Sequence, residues 1–471
     1  MSGDDGLNSA EKKKRRIAVL GVSSLMLIAM IAAVAIGIKD IGKKSHDSDH
    51  AGEDDHGDLS TSTKSVQSLC QTTDYRQTCL KSLSHTNTSD PKELIKSGFE
   101  AAMEKIKGAL ENSKTIKAAK DDPRTSGALE ECQIVMEYAV TDLKRSVDQI
   151  GDFEFSKLDE YVENLRVWLS GALTFQESCI DAFENTTGNA GDEMKKLLNV
   201  SQQLTTNGLG MTTQISTLLK TLDIPGFGDL GRLLSEKPAI MGSNFIAKDI
   251  GFENSAGAEK HQAVALLVQS DMSIFYNCHM DGFKDTLYAH SHRQFYRHCS
   301  ISGTVDFILG NAVAVFQNCR LIFRKPLETQ SLTITAQGRI NEKEPTGFVL
   351  QNCTIVSDPA YFPIRQKNKA YLGTPWKQFS RTIFMHSFLD DAIAPEGWKP
   401  WMGTFGEDTC FFSEYDNRGP GSEQSNRVKW TGIKKLNATE IKGFTPAKFF
   451  GDDKWIWSSQ VPYEPGMILA Q

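Results

Sequence analysis

The stretch Ser273–Cys319, SIFYNCHMDGFKDTLYAHSHRQFYRHCSISGTVDFILGNAVAVFQNC, decides the fold. Three short apolar runs recur in it, Ile274-Phe275-Tyr276, Gln294-Phe295-Tyr296 and Ala314-Val315-Phe316, and each leads into Asn-Cys or His-Cys. Similar runs stand at Phe245-Ile246-Ala247, Gly347-Phe348-Val349-Leu350 and Thr382-Ile383-Phe384-Met385. Gly, Asn and Asp break the runs, and no helical pattern lies between copies. A strand repeated in this way reads as a solenoid, so residues 239–471 are expected to be all-β. Stacked strands lie about 4.8 Å apart, within the Cα separation of a disulfide. Cys278, Cys299 and Cys319, one coil apart, read as a buried column down one face, which Cys353 extends.

Two acidic segments stand out in the repeat, Gly282-Phe283-Lys284-Asp285-Thr286-Leu287-Tyr288 and Gly303-Thr304-Val305-Asp306-Phe307-Ile308-Leu309-Gly310. Asp285 and Asp306 are 21 residues apart, the interval that also separates Cys278 from Cys299. They should therefore occupy adjacent coils on one face. Two carboxylates that close cannot both ionise freely, so one pKa rises. That arrangement supplies a nucleophile beside a proton donor. An aspartate ladder that binds a cation or caps turns is the alternative at this point. Tyr288, Trp398 and Trp401 are candidates for a sugar groove or for core. The run His290, His292, Arg293, Arg297, His298 suits a polyanion or a solvated face.

Upstream the period changes. From 64 to 222, apolar residues recur every three or four positions, as in Cys132, Met136, Val140, Leu143, Val147, Ile150 and in Leu158, Val162, Leu165, Leu169, Ala172, Phe175, Cys179, Phe183. One apolar stripe per helix and short polar breaks predict an antiparallel four-helix bundle. Cys70–Cys79 and Cys132–Cys179 are its natural staples, each worth about 2–4 kcal/mol. Residues 223–238, with Ile224-Pro225-Gly226-Phe227-Gly228, read as an exposed linker.

The N-terminus sets the compartment. Residues 1–16 end in Lys12, Lys13, Lys14, Arg15 and Arg16, and 17–38 is an uncharged run. As a helix that run is about 33 Å long, enough to cross a bilayer, and the basic cluster predicts a cytosolic start. A cleaved signal peptide would have a shorter apolar region. Residues 39–63 are polar and read as a stalk. The bulk then lies where disulfides persist. Five sequons, at Asn87, Asn185, Asn199, Asn352 and Asn437, fit that route. The net charge of −7 argues against a nucleic-acid partner. Nine cysteines leave at least one unpaired within the chain.

Several segments of the C-terminal half closely resemble plant pectin methylesterases. They are Lys260-His261-Gln262-Ala263-Val264-Ala265-Leu266, residues 282–288, residues 303–310, residues 371–376, Gly419-Pro420-Gly421 and Asn426-Arg427-Val428. The helical region resembles the family's inhibitor-like pro-domain, and Arg232-Leu233-Leu234 its processing site. The resemblance implies a right-handed parallel β-helix and an aspartyl esterase acting on methylated homogalacturonan at the cell wall. Asp306 would attack the ester carbonyl. Asp285 would protonate methanol and then activate water. Gln262 would donate to the oxyanion or substrate, and Trp376 would pack on sugar rings. Cys278 would pair with Cys299. A subtilisin-like protease would be the processing partner, and neither metal nor organic cofactor is implied.

Three departures accompany the resemblance. Lys284 replaces a second oxyanion glutamine, and its charge should favour ionised Asp285, by about 1–3 pKa units in a typical pair. Thr374 replaces an arginine that would grip the nucleophilic carboxylate. Only a short link joins Leu234 to Phe245, where the family has further coils. These departures define a second reading, a catalytically impaired pectin-binding or esterase-inhibiting protein.

Overall fold

The computed structural model describes residues 61–113, 122–151, 158–184, 186, 188–220 and 239–468. The expected membrane anchor at 17–38, most of the stalk, the linker with Arg232, Leu233 and Leu234, and Asn185 lie outside the described residues. The chain forms two compact units, one helical and one a solenoid. No described helix is long and apolar enough to cross a membrane.

The helices are α1 (Thr61–Gln71), α2 (Arg76–Leu83), α3 (Pro91–Ser113), α4 (Pro123–Gly151), α5 (Leu158–Asp181) and α6 (Ala190–Lys220); all belong to the helical unit except Arg166–Phe175 of α5, which groups with the solenoid. The first helix takes in residues 61–63, which the polar composition had assigned to the stalk. A disulfide joins Cys70 of α1 to Cys79 of α2, and a second joins Cys132 of α4 to Cys179 of α5. Gly208 of α6 lies against the Phe99 ring, where an added Cβ would fall 2.3 Å from a ring carbon. The α1–α2 link is tied to α6 twice: Tyr75 N donates to Asn207 Oδ1 (2.9 Å), and Asn207 Nδ2 donates to the Tyr75 carbonyl (3.0 Å).

The solenoid is built from parallel strands in three sheets of six, seven and five, and each strand pairs with the one three places further along the chain, except that Arg381–Met385 pairs with the next strand, Phe411–Tyr415. One coil thus contributes one strand to each sheet. The Asn-Cys and His-Cys pairs sit at the corner between the second and third sheets. Their first members, Asn277, His298, Asn318 and Asn352, all have φ between 51° and 56°. Asn and His tolerate this left-handed region better than most side chains. The corner also holds a side-chain ladder, with Asn352 Nδ2 donating to Asn318 Oδ1 at 3.1 Å. That bond engages the nitrogen a glycan would use, so the ladder competes with modification at Asn352. Asn87, Asn199 and Asn437 are exposed.

The Cys278–Cys299 disulfide implied by the resemblance is not formed. Cys278, Cys299, Cys319, Cys353 and Cys410 are free thiols, all buried. Within the column each thiol contacts the neighbouring thiol and also lies near a main-chain carbonyl: Cys299 near Phe275 (3.3 Å), Cys319 near Tyr296 (3.5 Å), Cys353 near Phe316 (3.4 Å). Burial holds the Cys299 and Cys319 thiols well above their ordinary pKa, which keeps them from thiolate chemistry.

Folding resolves one open alternative and changes one expectation. Trp398 is fully buried and stacks on Phe412 at 4.3 Å, so it belongs to the core. His290, His292 and Arg293 are buried as well. Arg293 pairs with buried Asp271 at 2.6 Å, and burial pushes His290 down to about 3, so His290 is neutral. Neither a solvated face nor a polyanion surface describes these three residues. The first described coil carries exposed Ile246 and Ile250 at the end of the stack.

The interior is held by aligned side chains. Phe275, Tyr296 and Phe316 occupy equivalent positions on three coils, with rings 4.9 and 4.6 Å apart and tilted by only 9° and 8°. Phe316→Ala should therefore cost about 3–5 kcal/mol, read from the denaturant midpoint at unchanged slope. A loss under about 1 kcal/mol would show that the stack contributes little.

Candidate active site

Asp285 and Asp306 each precede a strand of the six-stranded sheet, Leu287–Ala289 and Ile308–Gly310. Ile308 pairs with Leu287, so the two aspartates, each two residues earlier, hold the same corner of adjacent coils. Asp285 N donates to the Val305 carbonyl at 3.1 Å, which fixes the offset. Both residues are left-handed, with φ of 64° and 51°, a conformation for which aspartate is enriched. Both are nearly inaccessible, at 5% and 7% exposure.

The surroundings push the acids up. Burial is the largest influence on Asp285, followed by the negative charge of Asp306. Lys284 and a hydrogen bond from Gln262 pull the other way, and the outcome is about 7. The expectation that Lys284 would leave Asp285 acidic is thereby corrected, because burial and the second carboxylate together outweigh one lysine. Asp306 is also raised, chiefly by burial, while Thr333, Lys399 and Lys284 oppose the rise.

Thr333 and Lys399 were missed from sequence. Thr333 lies one coil beyond Asp306, where its hydroxyl donates to Asp306 Oδ1 (2.5 Å) and accepts from Asp306 N (3.0 Å). Its place in the run Leu332–Gln337, 27 residues after Asp306, was a weak signal. Lys399 could be found only from the pairing of Gly373 with Trp398. With Lys284 and Lys399 both acting on Asp306, the pair is poorly suited to a cation, which the lysines would repel.

The remaining predicted residues fall around this corner. Gln262 pairs with Lys284 in a parallel bridge, so the two lie side by side on adjacent coils, with Gln262 exposed. Trp376 is half-buried, 6.4 Å from the Tyr288 ring. Trp401 is more open, at 37% exposure. Thr374 is buried, pairs with Ala336, and its hydroxyl has no hydrogen-bond partner among the described residues. It offers no positive charge, and the nucleophile candidate is gripped by Thr333 instead.

A raised acid beside a second carboxylate, with hydrogen-bond donors at hand, supplies the parts for acid–base and nucleophilic chemistry. Comparison with known proteins gives the family. A model described as pectinesterase matches residues 229–453, and one described as plant invertase/pectin methylesterase inhibitor matches 64–211. The chain is 40% identical to probable pectinesterase/pectinesterase inhibitor 21 of Arabidopsis thaliana, over 99% of this chain and 84% of that protein. It is 51% identical to a pectinesterase of Petunia integrifolia, over 49% of this chain and 62% of that one. A solved structure of pectin methylesterase from carrot aligns with TM-score 0.48 and 45% identity, covering 49% of this chain and 72% of that one. The chain belongs to the pectinesterase family and carries the inhibitor-like N-terminal region of its pectinesterase/pectinesterase inhibitor members. The alignment with the first Arabidopsis protein spans 572 positions against a 471-residue chain, so that relative holds segments without counterpart here.

The raised Asp285 has a consequence for stability. Its folded pKa lies above the unfolded value, so the folded state binds the extra proton between about pH 4 and 7. Stability from this group is therefore present in acid and is lost as pH rises to about 7. Asp285→Asn should be more stable than the parent at neutral pH, by on the order of a few kcal/mol, with the difference vanishing near pH 4. Equal melting temperatures at neutral pH would contradict the assigned environment.

Proposed function

We propose that the chain hydrolyses methyl esters of cell-wall homogalacturonan, with Asp306 as nucleophile and Asp285 as acid and base. The carrying observation is the pair itself, two buried carboxyls on adjacent coils, with Asp285 at about 7 beside Asp306. Ionised Asp306 attacks the methyl-ester carbonyl and forms a tetrahedral oxyanion. Gln262 and Lys284, adjacent at the open edge of the site, are the donors for that oxygen. Collapse expels methoxide, which takes the Asp285 proton and leaves as methanol. The anionic Asp285 then removes a proton from water, which attacks the acyl-enzyme. Free pectate and the original pair of carboxyls result.

Positioning sits on the sheet. Thr333 bonds one Asp306 oxygen and leaves the other for attack. Trp376 and Tyr288 form an apolar edge beside the corner, suited to a sugar face.

The finer parts of the proposal extend to the rest of the chain. The solenoid is taken as a right-handed β-helix, and the four long helices α3–α6, preceded by the short α1 and α2, as a four-helix inhibitor-like bundle able to act within the chain. Residues 17–38 anchor the precursor in the membrane, a subtilisin-like protease cuts at Arg232-Leu233-Leu234, and the product goes to the cell wall. The basic cluster, the long apolar run and the sequons support this route.

Methanol release from methylated pectin tests the assignment. Asp306→Ala should lower kcat by at least about 1000-fold, since nucleophile and proton-transfer groups act as a unit. Turnover at the parental rate would remove Asp306 from its role.

A further inference from the structure

The positive charge that serves Asp306 comes from an unexpected place. The row of the six-stranded sheet that begins three residues after Asp306 runs Leu309, Ala336, Thr374 on successive coils. The parallel bridge of Gly373 with Trp398 continues it, and Lys399 N donates to the Gly373 carbonyl at 2.9 Å. Lys399 therefore stands next after Thr374. Its two predecessors on the row, Thr374 and Ala336, are both small. Its mount is rigid, because Trp398 is fully buried and stacked on Phe412. Among the described residues no carboxylate forms an ion pair with the Lys399 ammonium.

We infer that Lys399 is a positioning residue for the nucleophile, which with Lys284 supplies the cationic field that keeps Asp306 ionised where Thr374 brings no charge. The inference rests on the esterase reading for its use, but its electrostatic content stands apart from turnover. The groups facing Asp306 are Asp285 and Lys284 from the preceding coil, the Thr333 hydroxyl from the following one, and Lys399 from beyond Thr374. Of the two lysines, Lys284 acts on both aspartates, whereas Lys399 acts on Asp306. The consequence is selective. Removing Lys399 shifts the ionisation of the nucleophile and leaves that of the acid–base group largely where it was. A lysine engaged only in local packing would shift neither.

The test compares the full chain with Lys399→Met and Lys399→Arg. One readout is the pH dependence of kcat/KM for methanol release. The acidic limb of Lys399→Met should move up by about half to one pH unit, with activity on that limb reduced several-fold. The neutral limb should stay, and Lys399→Arg should restore the parental profile. A second readout does not need turnover: the carboxyl titration of Asp306 by 13C NMR in aspartate-labelled protein, assigned with Asp306→Asn. Its midpoint should rise in Lys399→Met and return in Lys399→Arg. An unchanged midpoint overturns the inference. A shifted midpoint in a protein that releases no methanol keeps the inference and instead fells the esterase reading.

Discussion

Everything in the active corner depends on register between neighbouring coils. Parallel pairing of Ile308 with Leu287 brings Asp306 and Asp285 to the same height on one face. The bond from Asp285 N to the Val305 carbonyl locks that offset at the corner itself. A slip of one residue would turn one carboxyl from the outer face toward the aromatic core, because side chains alternate along a strand. The stack of Phe275, Tyr296 and Phe316 within the seven-stranded sheet and the asparagine ladder at its corner act elsewhere along the solenoid. They resist the slip because each has its own required height. Chemistry and stability therefore draw on one geometric constraint.

The same constraint sets up an electrostatic contest. Burial favours the neutral acids, and lysines favour their ions. At Asp285 burial and a neighbouring negative charge win over Lys284, which leaves a proton donor near neutrality. At Asp306 burial is met by a short bond from Thr333 and by two cations. The acids sit in similar backbone conformations, so their different roles come from what surrounds them. A guanidinium is one way to hold a carboxylate in such a place. A hydroxyl grip combined with charge from a little farther away is another.

Much of this was legible in the chain. The recurring runs before Asn-Cys and His-Cys specified the solenoid, and the common 21-residue interval put the two aspartates together. The first signal worked because the corner needs left-handed residues, which few side chains tolerate. Thr333 and Lys399 were less visible. The connections between coils vary in length, so intervals after Asp306 no longer mark equivalent positions. Pairings such as Ala336 with Thr374 and Gly373 with Trp398 become known only once the coils are stacked. The cysteine column was foreseen, but its chemistry was not. Spacing shows that sulfurs can approach, and they do, but as free thiols that also meet main-chain carbonyls. Likewise His290, His292 and Arg293 look like a surface cluster in the chain and are packed inside the fold.

The central claim is that Asp306 takes the acyl group while Asp285 handles protons. Rapid acid quench of the full chain with a methylated oligogalacturonide, followed by peptide mass spectrometry, tests it most directly. The account predicts a transient galacturonoyl adduct, one methanol lighter than the added substrate, on the peptide that carries Asp306. An adduct on the Asp285 peptide, or methanol release with no covalent species at any time point, would contradict it.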